Sequence, residues 1–237
     1  MNLKDKVVLI TGANGGLGQA FVNYCLEKEV KKIYCCARNI ENLSGLNILD
    51  DNRIEVFKLD ITNNLDIEKL VNSVDYIDIL INNAGVNNEK RIFETLRNDF
   101  EVNVFGTLNV TKLLYPKIKE NGVIITINSV LAFMNLPSMA QYCASKSALH
   151  SIMQAIRMEL KTKAIDVYEV FPGPIDTKMS KNLEMQKTTP AEVVKNTFEG
   201  LKDKNFEIFP DEASLGIMYM LKNNPKQLEN DFASSIL

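Results

Sequence analysis

Three side chains in the second half of the chain have the types and spacing for proton transfer: Ser129, Tyr142 and Lys146. Tyr142 and Lys146 stand four positions apart, so on a helix they share one face. An ammonium there lowers the proton affinity of the phenol, while a neighbouring hydroxyl binds the oxygen that gains or loses the proton. That is general acid–base chemistry. Two other Tyr-x-x-x-Lys pairs exist, Tyr24/Lys28 and Tyr115/Lys119, but the first closes a predicted helix and the second straddles Pro116. Only Tyr142 follows an apolar run, Val123–Ile127, that leads into a serine. Favouring phenolate by three units from a reference pKa of ~10 takes about 4 kcal/mol, which one unit charge at ~4 Å supplies at an effective dielectric of ~20. His150, the only histidine, lies one turn beyond Lys146 and reads as packing.

Such residues need a scaffold that gathers loop ends, and the chain reads as alternating strands and helices. Val7–Thr11 is an apolar run entering Gly12-Ala13-Asn14-Gly15-Gly16-Leu17-Gly18, after which Gln19–Lys28 reads as a helix. Glycines let the backbone turn at positive φ and approach a ligand closely, and free N–H groups at a helix start suit a pyrophosphate. The spacing is Thr-Gly-x-x-x-Gly-x-Gly, not the general Gly-x-Gly-x-x-Gly, with Gly12, Asn14, Gly16, Leu17 and Gly18 as candidate contacts. The next strand, Lys32–Ala37, leads to Arg38 where an acid would hold a ribose 2′-hydroxyl. A guanidinium binds a 2′-phosphate instead, which favours NADP(H) over NAD(H).

Ile54–Leu59 alternates into a third strand, and Asp60 at its end is placed either to reach an adenine edge or to cap the turn. A helix around Leu65–Ser73 follows. Tyr76–Ile81 reads as a strand covered on both faces, ending in Asn82-Asn83-Ala84-Gly85. Ile92–Leu114 has helical spacing around Asn103, which is either a packed structural amide or a group that orders water near a site. Val123–Ile127 delivers Ser129, and the helix with Tyr142 and Lys146 runs to about Lys161. Val167–Phe171 is a sixth strand, Lys178–Thr189 is irregular, and a helix opens at Pro190. Phe206–Phe209 is a last strand, Ala213–Leu221 a last helix, and Asn223–Leu237 a tail loose at its end. This alternation predicts an α/β fold, a doubly wound parallel sheet in a single domain over 1–237, with a small substrate lid at about 178–190. Ligands of such sheets bind beyond the carboxyl ends of strands, and the candidate residues fall there.

Composition narrows the classes. With 27 basic and 30 acidic residues interspersed, a net charge of −3 marks no nucleic-acid surface. The longest apolar runs are far short of the ~20 residues that span a bilayer, and the polar start Met1–Lys6 offers no secretory segment. A cytoplasmic protein with no membrane partner is expected. Cys25, Cys35, Cys36 and Cys143 lack metal-ligand spacing and read as buried free thiols, so no metal is expected.

Thr11–Gly18, Asn82–Gly85, Asn103, Ser129, Tyr142-x-x-x-Lys146 and Pro172-Gly173 stand in the order of the compact short-chain dehydrogenase/reductase family, which the chain resembles over essentially its whole length. The resemblance implies a seven-stranded Rossmann sheet in the order 3-2-1-4-5-6-7. It implies a catalytic set of Asn103, Ser129, Tyr142 and Lys146 that moves hydride between a nicotinamide and a small carbonyl or alcohol substrate. Cofactor contacts would come from the glycine turn, Arg38, Asp60, Ile61, Asn83 at the ribose, Ala84, Gly85, Tyr142, Lys146, Pro172, Gly173, Ile175 at the carboxamide and Thr177. A homodimer or homotetramer is implied, often through the helices carrying Asn103 and Tyr142. Residues 83–103 and 177–190 look short for the family, and both border the substrate pocket. Leu131, Phe133, Met134, Leu136 and Met139, with Met179, Leu183 and Met185, would wall it, an apolar set favouring hydrophobic aldehydes or ketones. Other classes are a nucleotide-sensing regulator on the same fold, which need not retain the tyrosine and lysine, and a sugar-nucleotide epimerase, which would need a longer C-terminal substrate region.

Overall fold

Every residue of β1 (Val7–Thr11) is buried, as a strand with helices on both faces must be. It pairs in parallel with β2 (Lys32–Ala37) on one side and β4 (Ile77–Asn82) on the other. The computed structural model describes residues 1–43, 51–94 and 97–234. Adding β3 (Ile54–Lys58), β5 (Ile118–Ile127), β6 (Asp166–Val170) and β7 (Glu207–Ile208), the sheet runs β3-β2-β1-β4-β5-β6-β7, the predicted order. The order reverses between β1 and β4, which opens a crevice beyond their carboxyl ends.

Side chains alternate across the strands. Val8, Ile10, Ile81 and Ile125 meet Phe21 and Val22 of α1 (Gly16–Glu27) and Val193 and Phe198 of α6 (Pro190–Lys202). Leu9, Leu80, Ile124 and Val167 meet the opposite layer: Ile67 and Leu70 of α2 (Asn64–Ser73), Val110 and Leu114 of α4 (Thr107–Leu114), and Leu149 and Met153 of α5 (Ala140–Leu160). Cys35 and Cys36 fall on opposite faces of β2 and join the two cores separately. All four cysteines are free and buried, and burial pushes the thiols of Cys25 and Cys35 up to about 12.

Two turns depend on glycine. Gly12 has φ 64°, and a Cβ on it would meet Ala84 Cα at 2.9 Å. A Cβ on Gly18 would run into the Gly12 carbonyl oxygen. The start of α1 thus packs directly on the turn after β4.

Three boundaries differ from the sequence reading. The helix expected from Ile92 begins only at α3 (Asn98–Phe100) and passes through a π-helical turn, Glu101–Gly106, into α4; Thr95 and Leu96 lie outside the described residues. The reason is Gln141, whose Nε2 donates to the carbonyls of Arg91 and Glu94 at 3.0 and 2.7 Å, engaging acceptors a helix would use. β5 starts at Ile118, ahead of the expected Val123, because Ile118 pairs with Ile77 before an irregular register. Beyond α7 (Glu212–Asn223), expected to be the last helix, the chain forms α8 (Pro225–Ser234), seated by buried Leu228; the end of the tail expected to be loose, residues 235–237, lies outside the described residues.

Asp211 ties α7 to the loop after β6: Oδ1 accepts from Ser214 N at 2.8 Å and Oδ2 from Gly173 N at 2.9 Å. Asp211→Ala removes the helix cap and leaves a Gly173 N–H without its acceptor, a loss of about 1–3 kcal/mol. Urea denaturation should show a lower midpoint at unchanged slope; an unmoved midpoint would contradict this.

Candidate active site

β5 ends at Ile127, and its carbonyl accepts from Lys146 Nζ at 2.9 Å. Lys146 is buried, and removal from water pushes its ammonium down to about 8, opposed by the charges of Glu169 and Asp99. One turn earlier on α5, Tyr142 is half-buried with its ring centroid 5.7 Å from that Nζ. Burial pushes the phenol up to about 12, and hydrogen bonding with the Ser129 side chain pulls the other way. The sequence argument gave Lys146 enough charge effect to make a phenolate. That argument assumed a separation of ~4 Å; the ring centroid stands 5.7 Å from Nζ, and burial is the largest influence on the phenol. Ser129 is buried and its Oγ accepts from Leu131 N at 3.2 Å, opening a short 3-10 turn.

The glycine turn meets this group across β1 and β4. Thr11 Oγ1 accepts from the backbone N–H groups of both Asn83 and Ala84 at 3.0 Å. Asn83 Nδ2 donates to the carbonyls of Thr11 and Gly12, each at 3.0 Å. Gly15 precedes α1 without a side-chain cap, so first-turn N–H groups remain for an anion. Gln19 Nε2 donates to the Asn14 carbonyl at 3.0 Å, and a Cβ on Gly16 would meet the Thr177 methyl at 3.1 Å, which puts Thr177 over the turn. This cradle fits a dinucleotide pyrophosphate.

Arg38 is exposed at the end of β2; against the effect of burial, the Asp60 carboxyl is held below its ordinary value by the hydrogen bonds it accepts from Thr62 Oγ1 and N at 2.7 and 2.9 Å, with the Arg38 charge adding to them. The carboxylate therefore caps its turn, one of its two expected roles, beside the guanidinium. Ile61 packs against Gly106. Asn103, fully buried, accepts from Val86 N at 2.9 Å and donates to Val86 O at 2.9 Å and Ser145 Oγ at 3.0 Å. Its amide fixes the backbone beside Gly85, the packed alternative. Pro172 and Gly173 follow β6, and Ile175 pairs with Thr188 across the base of the 178–190 segment. Thr177 and Ser180 cap each other's backbone there.

Phe133 is half-buried. It packs on His150 and Phe171 at 5.0 and 4.9 Å. Met139 is buried, whereas Met179 and Met185 are exposed. Sequence reasoning quoted Thr11 in the glycine motif without giving it a role, and it missed Gln141, Asp99 and Glu169. The last was marked by an acid inside an apolar strand, the others by no comparable signal.

A family model for short chain dehydrogenases matches residues 6–188. The chain belongs to the short-chain dehydrogenase family. Its family places it among the oxidoreductases. Human dehydrogenase/reductase SDR family member 7 is 32% identical over 198 residues, covering 76% of this chain and 58% of that protein, so the match spans little more than half of that relative. A short chain dehydrogenase from Burkholderia cenocepacia J2315, solved in complex with NADP, is 33% identical with a TM-score of 0.91, covering 98% of this chain and 99% of that one. A family structure from Burkholderia phymatum in complex with NAD, at 21% identity, shares the fold with a TM-score of 0.84 over 96% of each chain. No helix among the described residues is long and apolar enough to cross a membrane.

Below about pH 8 the buried Lys146 ammonium weighs against folding in full, and that weight fades as pH climbs toward its ordinary 10.5. Lys146→Met should therefore be more stable than the native chain at pH 7, by up to about 3 kcal/mol, with the gain shrinking toward pH 10. Denaturation at the two pH values checks the sign, and a gain that grows with pH would refute it.

Proposed function

We propose that the chain is an NADP(H)-dependent oxidoreductase that transfers hydride between the nicotinamide and a carbonyl or alcohol substrate, with Tyr142 as general acid/base. The observation that carries this reading is the convergence of Ser129, Tyr142 and Lys146 at the carboxyl edge of the sheet, beside the Thr11–Gly18 turn pinned by Asn83. When bound, the reduced nicotinamide supplies the hydride. The residues that would hold the cofactor are the glycine turn at the pyrophosphate, Arg38 at a 2′-phosphate, Asp60 and Ile61 toward the adenine, Asn83, Tyr142 and Lys146 at the ribose, and Ala84, Gly85, Pro172, Gly173, Ile175 and Thr177 around the nicotinamide.

For reduction, Ser129 Oγ donates to the carbonyl oxygen and Tyr142 Oη gives it a proton as negative charge develops there. A phenol held at about 12 is protonated at neutral pH, which supports proton donation from the unliganded site. Lys146 stabilises the phenolate left behind, and oxidation is the reverse. Asn103 acts by positioning, through its bonds to Val86 and Ser145. Residues 178–190 form the lid. A purely nucleotide-sensing regulator would have no use for this phenol–ammonium pair. We also place assembly, as a homodimer or homotetramer, on the outer faces of α4 and α5 and the turn before α4, where Phe105 and Met158 are exposed; a monomer mass by light scattering at micromolar concentration would reject that arrangement.

Tyr142→Phe should lower kcat by about 10²-fold or more, the usual worth of a general acid, while NADPH affinity barely changes. Retention of a tenth of native kcat across a panel of aldehydes and ketones would overturn the assignment. Arg38→Ala should weaken NADPH binding by about 1.5–3 kcal/mol, the worth of a charged hydrogen bond, and leave NADH binding nearly unaltered. Superimposable titrations of the native chain with NADPH and NADH would exclude the preference.

A further inference from the structure

Behind Ser129 lies a buried polar cluster with no part in the chemistry just described. Glu169, in the middle of β6, is 0% exposed. Its Oε1 accepts from Asn128 Nδ2 at 3.0 Å, and Asn128 Oδ1 in turn accepts from the backbone N–H of Ser129 at 3.0 Å. Its Oε2 meets His150 Nδ1 at 3.0 Å and Arg157 NH2 at 3.2 Å, both on α5. Arg157 also reaches Glu207 of β7 at 3.6 Å. His150, Glu169 and Glu207 have the donor types of a metal site, but the guanidinium lies against both carboxylates and supplies the positive charge a metal would bring.

A carboxylate in a strand covered on both faces costs several kcal/mol unless it is paired and fully hydrogen-bonded. A guanidinium, an imidazole and an amide meet that requirement here. They do not explain why an acid stands in β6 at all, since a hydrophobic residue would avoid the cost. The explanation lies in what else the carboxylate faces: Lys146 stands one turn before His150 on α5, its Nζ bonds the carbonyl of Ile127, which pairs with Val170 next to Glu169, and the Glu169 charge supports the Lys146 ammonium more than that of Asp99 on α3 does. The cluster therefore touches the catalytic set twice, through Asn128 to Ser129 and through its field to Lys146.

We propose that Glu169 and Asn128 are positioning residues of this active site: Glu169 anchors the amide that fixes the Ser129 backbone and supplies the negative charge that keeps buried Lys146 an ammonium. The inference rests on the oxidoreductase reading for its meaning but not for its main test. Burial alone drives Lys146 toward the neutral amine, which would neither stabilise a phenolate nor attract a ribose hydroxyl as a cation. Neutralising Glu169 removes an opposing charge. His150, Arg157 and Glu207 remain to face the altered side chain, Asp99 remains to face Lys146, and the Phe133–His150–Phe171 packing is untouched.

The test is titration of Lys146 by NMR in the cofactor-free chain with isotope-labelled lysine, which needs no turnover. In folded Glu169→Gln, the Lys146 midpoint should fall by about one pH unit, the low end of what a nearby opposite charge contributes. Glu207→Gln, which neutralises a carboxylate on the far side of Arg157, should leave it in place. Asn128→Ala should also leave it in place while lowering kcat with NADPH about tenfold, and the alkaline limb of kcat/KM in Glu169→Gln should move down with the midpoint. An unmoved midpoint in folded Glu169→Gln, or an equal fall in Glu207→Gln, overturns the charge role; native kcat in Asn128→Ala overturns the positioning role. If Glu169→Gln does not fold, the carboxyl carbon of Glu169 in the native chain decides: a carboxylate at pH 7 supports the proposal and a protonated acid ends it. Failure of the oxidoreductase reading would appear separately, as absent carbonyl turnover, with the lysine titration still readable.

Discussion

One cation removed from water governs this site. An ammonium buried to the extent of Lys146 is tolerable only where fixed oxygen and negative charge replace its hydration. The Ile127 carbonyl does the first at 2.9 Å, and Glu169 and Asp99 do the second. Those partners come from β5, β6 and the short helix before the π-helical turn, so the lysine sits correctly only when the middle of the sheet and both flanking helices are assembled. Folding and the geometry of the site are thereby linked through one side chain, whose burial costs stability.

Much of this was legible in the sequence because the signals are periodic or obligatory. Nearly continuous apolar runs at Val7–Thr11 and Tyr76–Ile81 are what doubly covered strands require, whereas the strand order came from the family resemblance and not from any run. The Gly12–Gly18 turn was readable because backbone at φ 64° and a carbonyl against a helix start leave no room for a Cβ. Tyr142 and Lys146 were readable because a helix converts spacing into adjacency.

What escaped was set by contacts that spacing does not encode. Gln141 ends the helical reading before Asn98 by bonding two carbonyls some 47 to 50 residues away in sequence. Nor does position along the chain show that half-buried Phe133 packs against the rings of His150 and Phe171. The burial of Tyr142 stayed out of the sequence argument for a related reason: a charge effect can be estimated from an assumed distance, but desolvation depends on how completely neighbours surround the ring, and only packing reveals that.

The four thiols carry a separate consequence. Each belongs to a different piece of the fold: α1 for Cys25, the two faces of β2 for Cys35 and Cys36, and α5 for Cys143. Burial raises all four, so none is a thiolate in the native state at neutral pH, and an alkylating reagent reacts only when the surrounding element opens. The chain therefore has built-in clocks, one on α1, two on a strand next to the sheet's centre and one beside Tyr142. Their relative modification rates would order the steps by which the molecule comes apart, with no label or engineered residue added.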